Sequence, residues 1–352
     1  MNSIKKAIKI IAVSVIALLI FSAVYIGVSG PTLPKQTDNI IDSVLSNPIP
    51  ALVKGKVGLA KSQSLNIWYE SVVPKDSIKG VILLIMGISN DALGWPPAFI
   101  QSFVDAGYQV IRYDHRGTGL SDWVENWDKK KPYSLKDMAD DGVAVLSELH
   151  VEKAHILGVS MGGMIAQELA INHPDRTASL TSIMSSGFIT DPELPKISSS
   201  IAFDLIKTAI KYSVIGTERN MIKLHLASRM ILMNNSDQDL DIKGLSEQVL
   251  YNIRIRHGYN ARVSEQHQAA VAMSGSRYTE LKTLYIPTLV IHGRADPFIP
   301  MAHGQKCAAI IPNSDSLWVN NMGHDLPNNK IKEVTRKAIS FFHSTERTDR
   351  TK

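Results

Sequence analysis

The sequence predicts an α/β fold, in which helices cover both faces of a mostly parallel sheet and a helical cap is inserted. Apolar runs of strand length alternate with segments of helical periodicity along residues 56–188 and again along residues 285–345. Between them, residues 189–284 contain successive predicted helices without strands, which indicates the insertion. The chain has 352 residues, of which 44% are hydrophobic and 20% charged, so it can bury a substantial core.

Each predicted element of the body follows from a short apolar run or from a helical spacing of apolar residues. The strands are 81–86, 109–113, 154–157, 287–292 and 316–319. The helices are 97–106, 135–149, 164–173, 301–310 and 330–342, with 201–212 and 218–233 in the insertion. Residues 31–55, punctuated by Pro, Asn and Ser, predict a linker with a short helix near 39–45. Because strands alternate with helices, the strands should be parallel, with their carboxyl ends at one edge of the sheet.

The first thirty residues predict a transmembrane signal anchor. Residues 10–28 form a run of nineteen uncharged residues, close to the length of about 20 that crosses a bilayer as a helix. Lys5, Lys6 and Lys9 precede this run and are expected to stay in the cytoplasm, which puts the catalytic body on the extracytoplasmic side. The alternative is a protein secreted after cleavage of a signal peptide.

Charge and cysteine content exclude several classes of protein. The net charge is +5, but the three N-terminal lysines leave only about +2 on the rest of the chain, without an arginine-rich stripe. Nucleic acid is therefore not an expected partner. Cys307 is the single cysteine, so an intrachain disulfide and a multi-cysteine zinc site are both excluded.

The strongest chemical signal is a G-x-S-x-G motif centred on Ser160. Its glycines are Gly158 and Gly162, and the motif follows the predicted strand 154–157 and opens the helix 164–173. This strand-turn-helix context is typical of a nucleophile elbow, whose tight turn leaves no room for side chains at the two glycine positions. The serine oxygen is then lifted to the helix N-terminus, where the helix dipole favours negative charge.

A serine nucleophile needs a histidine base and a carboxylate, which this motif places in the chain order serine, acid, histidine. His324 lies in a loop after the strand 316–319, and Asp296 directly follows the strand 287–292. Loops at the carboxyl ends of parallel strands converge on one crevice. We therefore predict a triad of Ser160, His324 and Asp296.

The predicted oxyanion hole consists of two backbone amides. Met161, directly after the nucleophile, supplies the first. The loop after the strand 81–86 supplies the second, and Ile88 is expected because Gly87 lets the chain turn its next amide inward.

These motifs resemble the α/β-hydrolase superfamily, and more narrowly the branch of aclacinomycin methylesterase-like proteins, in which Leu-x-Met-Gly replaces the commoner His-Gly at the oxyanion loop. The resemblance implies the same triad and hydrolysis of an ester-like bond. It covers about residues 66–343. The matching segments, besides the elbow, are 84–87, 93–96, 112–121, 138–141, 292–297 and 322–327.

Other charged residues near these motifs are expected to have structural roles. The resemblance implies that Asp114, His115 and Arg116 brace the crevice rather than catalyse. Asp325 is expected to cap or solvate the loop of the predicted base. Asp315 precedes its strand and so lies at the opposite edge of the sheet from the triad.

The leading hypothesis is a membrane-anchored serine hydrolase that cleaves a carboxylic ester through an acyl-enzyme. No cofactor or metal is expected. The expected partners are the ester substrate and a lipid bilayer around residues 10–28. Acyl transfer, perhydrolysis and proline iminopeptidase activity are alternatives on the same triad, and a non-catalytic binding protein of the same fold is an alternative of another class.

Overall fold

The computed structural model describes residues 31–213, 215–234 and 240–350, with the side chains of the chain up to residue 346. The predicted membrane span at 10–28 lies outside the described residues. Within the described ranges, no helix combines the length and the apolar character that a bilayer span requires.

Eight strands of the described residues form one mixed sheet in the order β1-β2-β4-β3-β5-β6-β7-β8. Strand β2 pairs antiparallel with β1 and β4, and all other neighbours are parallel, as the alternation of strands and helices predicts. The strands are β1 Lys56–Ser62, β2 Leu65–Val72, β3 Gly80–Ile85, β4 Tyr108–Tyr113, β5 Ala154–Val159, β6 Thr177–Ile183, β7 Thr288–Gly293 and β8 Asp315–Val319.

Helices cover both faces of this sheet and fill the segment between β6 and β7. The helices are α1 Thr37–Ser46, α2 Pro97–Asp105, α3 Leu135–Glu148, α4 Met161–Asn172, α5 Ser199–Ser213, α6 Glu218–Leu232, α7 Ile242–Ile255, α8 Val263–Ser274, α9 Tyr278–Leu281, α10 Met301–Ile310 and α11 Asn328–Arg350. Helices α5 to α9 lie where the sequence predicts the helical insertion.

The central strands bury both faces, which is why their sequences are almost continuously apolar. Along β3, Leu83 contributes to an apolar cluster that also holds Leu169 of α4. Its neighbours Ile82 and Leu84 contribute to a second cluster on the opposite face, with Phe342 of α11. This two-sided core fixes the carboxyl ends of β3, β5, β7 and β8 at one edge.

Three strands escape the sequence prediction, and in each case polar residues interrupt the apolar run. In strand β6, Thr177, Ser179 and Thr181 are completely buried. The strand therefore lies inside the protein although its sequence is only partly apolar. Strands β1 and β2 form the antiparallel edge pair and were assigned to no element. Helix α4 begins at Met161 rather than at residue 164, because the turn after the elbow is already helical.

The segment predicted as a linker is docked onto the insertion. It contains α1, longer than the predicted helix, and Ile41 of α1 is completely buried among apolar residues of α6 and α7 that include Leu226 and Val249. Asp38 adds an ion pair to Lys223 of α6 at 2.7 Å. The short helix predicted near residues 39–45 is present as α1, and its apolar face packs against the insertion, a contact that the linker pattern does not predict.

Candidate active site

Ser160 lies between the end of β5 and the start of α4, in a strained backbone conformation. Its φ of 56° and ψ of −124° fall outside the regions that non-glycine residues normally occupy. The surroundings hold it there, because its amide donates to the carbonyl of Ile183 at 2.9 Å and its own carbonyl accepts from Gly163 at 2.9 Å. Such a turn lifts the serine side chain above the edge of the sheet.

The two glycines of the motif are required by close backbone approach. A Cβ atom at position 158 would collide with the carbonyl oxygen of Gly162. A Cβ atom at position 162 would collide with the carbonyl oxygen of Ile85 at the end of β3. The elbow therefore tolerates no side chain at either site, as the sequence pattern predicts.

The structure brings Ser160, His324 and Asp296 into one hydrogen-bonded row. Nε2 of His324 lies 2.9 Å from Oγ of Ser160, and Nδ1 of His324 lies 2.8 Å from Oδ2 of Asp296. All three residues are buried. The distances allow the serine to donate to the imidazole and the imidazole to donate to the carboxylate, which is the arrangement that a serine nucleophile requires.

Asp296 is held as a carboxylate by its surroundings. Burial alone would raise its pKa, but the charge of His324 and hydrogen bonds from His292 and His324 outweigh burial and hold the pKa below its ordinary value. The amides of Phe298 and Ile299 both donate to Oδ1 at 2.9 Å. An ionised, fully bonded Asp296 can orient His324 and stabilise its protonated form.

His292 is a further residue of the site, to which the sequence motifs assign no role of its own. Its Nε2 atom lies 2.9 Å from the carbonyl oxygen of Ile299 and 3.3 Å from Oδ2 of Asp296. A histidine inside an otherwise apolar, fully buried strand, four residues before the predicted acid, is the sequence signal that could have identified it.

Met161, which follows the serine, and Gly87, which precedes the second predicted oxyanion residue Ile88, both lie next to Ser160. Met161 is the first residue of α4, where backbone amides have no partner within the helix. Gly87 approaches so closely that a Cβ atom there would lie 3.4 Å from Cβ of Ser160. The next amide but one, that of Ser89, donates to Nδ1 of His267 at 3.1 Å and is therefore engaged elsewhere. The oxyanion roles of Met161 and Ile88 remain predictions.

Helix α6 of the insertion holds the loop that carries His324. The amide of His324 donates to the carbonyl of Leu232 at 2.8 Å, near the C-terminal end of α6. One turn earlier, the guanidinium of Arg229 binds both carboxylate oxygens of Asp325, at 3.0 and 2.8 Å. Asp325 thus pairs with the insertion, whereas the sequence analysis expected it to cap or solvate its own loop.

A buried ion pair joins the insertion to the loop after β4. Arg256, just past the end of α7, binds Asp114, and its guanidinium stacks 4.6 Å above the ring of Trp68. Burial raises the pKa of Asp114, while Arg256 opposes the rise and Asp91 adds to it. Asp114 also accepts from the amide of Ala92 at 2.9 Å, so its place agrees with a bracing role.

The neighbouring residues of the same loop are equally engaged. Arg116 makes a two-pronged ion pair with Asp141 of α3, at 2.7 and 2.8 Å. Nε2 of His115 lies 2.8 Å from the carbonyl oxygen of Met86, at the end of β3. These contacts tie the rim of the crevice to the sheet and leave no member of the Asp-His-Arg run in contact with Ser160.

Comparison with known proteins relates the chain to hydrolases. The family model described as alpha/beta hydrolase fold matches residues 80–327. Rhodomycin D methylesterase DnrP of Streptomyces peucetius is 28% identical over 281 residues, which are 76% of this chain and 91% of that protein. Putative carbamate hydrolase RutD of Caulobacter vibrioides is 39% identical over 262 residues, 74% of this chain and 90% of that protein.

Solved structures share the fold. The crystal structure of a membrane phospholipase A, described as a bacterial virulence factor, superposes with a TM-score of 0.62 at 19% identity, over 96% of this chain and 99% of that chain. At this identity the likeness shows the fold alone. The methylesterase relatives confirm the resemblance drawn from the sequence motifs.

Proposed function

The chain belongs to the α/β-hydrolase family and is a hydrolase, and we propose that it cleaves small carboxylic esters with Ser160, His324 and Asp296 as its catalytic triad. The observation that carries this proposal is the hydrogen-bonded row of the three side chains at a strained elbow, with 2.9 and 2.8 Å between the donors and acceptors. The relatedness to methylesterases favours an ester over other acyl compounds.

In the first half of the proposed reaction, Oγ of Ser160 attacks the ester carbonyl carbon while Nε2 of His324 accepts the serine proton. The negative charge then develops on the carbonyl oxygen, towards the amides of Met161 and Ile88. The bond to the alkoxy group breaks, His324 donates its proton to the departing alcohol, and the acyl group stays on the serine.

In the second half, water replaces the alcohol. His324 accepts a proton from the water as its oxygen attacks the acyl-enzyme, and the proton returns to Oγ of Ser160 as the carboxylic acid leaves. Asp296 stays ionised throughout, which agrees with the lowering of its pKa by the two histidines that contact it. Its part is to fix the imidazole so that Nε2 faces the serine.

Labelling and turnover test this proposal together. The protein should react with a fluorophosphonate probe at Ser160, and Ser160→Ala should lose the label and on the order of 10⁶ in kcat towards p-nitrophenyl acetate. Ser147→Ala, on the exposed surface of α3, is the control and should behave as the wild type. Near wild-type turnover by a folded Ser160→Ala protein, or absence of labelling in the wild type, would contradict the assignment and favour a binding protein of the same fold.

The proposal extends to the compartment: residues 10–28 anchor the protein in a membrane, with the catalytic body on the extracytoplasmic side. The supporting observation is the uncharged run preceded by Lys5, Lys6 and Lys9.

Detergent, but not high salt, should release the full-length chain from membranes, since a charge of about +2 on the rest of the chain gives little electrostatic attraction. Protease added to intact spheroplasts should remove a C-terminal tag. A tag that is protected until lysis would contradict the orientation, and a released form beginning near residue 30 would support the signal peptide.

A further inference from the structure

Helix α5 has its polarity reversed relative to a helix on a water-exposed surface. Its outward side chains Phe203, Ile206 and Ile210 are 54%, 57% and 45% exposed. Its buried residues are Lys207 and Thr208. Apolar residues spaced by three and four positions form one stripe along a helix, and a stripe of this kind normally faces a core.

The burial of Lys207 is compensated locally. Its ammonium group lies 2.7 Å from a carboxylate oxygen of Asp204 and 5.0 Å above the ring of Phe203. These contacts offset the cost of burying Lys207 on the inner side of the helix, which packs against α6. What it lacks within the described residues is an apolar partner on the outer side. Ile215, just past the helix end, is also an exposed apolar side chain, with 65% exposure.

The C-terminal end of α5 lies near α1, the first helix after the N-terminal segment. Helix α6 begins at Glu218, five residues after α5 ends, and its first turn binds the start of α1 through the ion pair of Arg219 with Asp38 at 3.2 Å. Asp38 is fixed there by its ion pair with Lys223 of α6. Only residues 29–36 separate α1 from the uncharged run, and eight extended residues span about 28 Å at most.

We propose that α5 lies on the surface of the bilayer, with Phe203, Ile206 and Ile210 inserted between head groups and acyl chains. The occupant is a lipid surface because the predicted span ends within reach of the helix, and an amphipathic helix in this position buries its apolar face about 5–10 Å into the boundary region. This proposal rests on the proposed anchoring of residues 10–28 and is independent of the proposed ester hydrolysis.

Site-directed fluorescence on the full-length chain tests the proposal. Ile206→Cys and Ile210→Cys each provide one site for an environment-sensitive nitrobenzoxadiazole label in vesicles of phosphatidylcholine and phosphatidylglycerol. The native Cys307 is buried and burial raises the pKa of its thiol to about 11, so the wild type serves as the labelling blank. Tyr285→Cys is the matched control, since Tyr285 is a large side chain with 91% exposure that precedes β7, at the amino end of that strand.

In vesicles, the labels at 206 and 210 should shift their emission to shorter wavelength, and nitroxides near the lipid head group should quench them more than nitroxides near the chain end. The label at 285 should keep the emission of a probe in water. Fluorophosphonate labelling of each variant verifies that the fold is intact.

Each other outcome overturns the proposal in a recognisable way. Emission typical of water at 206 and 210, in protein that floats with the vesicles, would refute the docking of α5 but leave the anchoring intact. A blue shift without quenching by nitroxide lipids would mean that protein, such as a second copy of the chain, covers the helix. Protein that does not float with the vesicles would refute the anchoring and this proposal together, whereas loss of ester hydrolysis alone would bear only on the catalytic assignment.

Discussion

Replacing Asp296 by asparagine should inactivate the protein by fixing the wrong tautomer of His324. In the native protein, Oδ2 of Asp296 accepts from Nδ1 of His324, which leaves Nε2 free to accept the proton of Ser160. An asparagine keeps the shape of the side chain but presents one oxygen and one amide group. Which of the two faces His324 decides whether the imidazole can act as a base.

The surroundings of Asp296 determine that choice. Oδ1 accepts from the amides of Phe298 and Ile299, so the oxygen of the asparagine should stay there and its NH₂ group should face Nδ1 of His324. The imidazole then carries its proton on Nε2 and cannot accept one from the serine. Turning the amide over would leave two buried donors facing an NH₂ group, at a cost of about 1–3 kcal/mol for each.

The magnitude follows from these two orientations. At the lower limit of about 2 kcal/mol in total, roughly 3% of the molecules hold the amide turned over and keep an active tautomer. We therefore expect a loss in kcat of at least about 30-fold, approaching the factor of about 10⁴ that the wrong tautomer costs in such triads. The assay is steady-state hydrolysis of p-nitrophenyl acetate, with thermal unfolding as the measure of the fold.

Asp315→Asn provides the matched control. Asp315 opens β8, is exposed, and pairs with Lys337 at 2.5 Å, an interaction worth at most about 1 kcal/mol on the surface. Its activity should equal that of the wild type. A folded Asp296→Asn protein within tenfold of wild-type kcat would refute the tautomer argument, and equal losses at the two sites would mean that neither carboxylate is specific to the triad.

Three further predictions concern the elbow and the contacts of the insertion. Gly158→Ala should lower the free energy of unfolding by more than about 3 kcal/mol in denaturant titrations, because the new methyl group meets backbone, whereas Gly216→Ala, with nothing within 4 Å of the added atom, should be nearly neutral. Arg256→Met should cost about 3–5 kcal/mol at pH 8 by leaving Asp114 buried without its partner, and less at pH 5. Arg229→Gln should lower kcat by up to about 100-fold with little change in KM, and Arg229→Lys should restore part of it.

The pH dependence for Arg256→Met follows from the direction of the Asp114 pKa. Burial raises the folded-state pKa above the ordinary value of 3.8, to about 7, so the folded protein holds a proton that the unfolded chain has released. Asp114 therefore lowers the free energy of unfolding as the pH rises from 3.8 to about 7. Removing Arg256 raises the folded-state pKa further and makes the loss larger at pH 8 than at pH 5. Equal losses at the two pH values would contradict this account.

The other two predictions also have contradicting outcomes. An alanine at 158 that leaves the unfolding midpoint unchanged would mean that the elbow can relax, in spite of the carbonyl of Gly162. A rise in KM without a change in kcat for Arg229→Gln would show that Arg229 acts on substrate binding, since a positioning role through the loop of His324 affects the chemical step.

The geometry of the proposed triad was predictable because it depends on topology and on short motifs. Strands β5, β7 and β8 are parallel members of one sheet, so the residues that follow them lie at the same edge. The motif around Ser160 specifies its own turn. The chain order of the superfamily and a position after a strand were enough to select Asp296 and His324. The structure puts His324 beside the serine and Asp296 beside His324.

The contacts between the insertion and the body were not predictable from the sequence. Asp114 and Arg256 are 142 residues apart, and nothing in either local pattern names the other as its partner. The same holds for Asp325 and Arg229, 96 residues apart. Strand β6 was missed for a different reason, since its buried hydroxyl side chains weaken the apolar run by which a strand is recognised.

The hydrogen bond from the amide of His324 to the carbonyl of Leu232 ties the insertion to the proposed catalytic base. If α6 moves outward as a unit to admit substrate, the histidine loop loses this bond and the pair of Arg229 with Asp325 at the same moment. The proposed hydrolysis would then take place in the closed form alone. An ester too bulky for the cap to close over it would be bound without being cleaved, so the size limit for substrates is also the size at which esters become inhibitors.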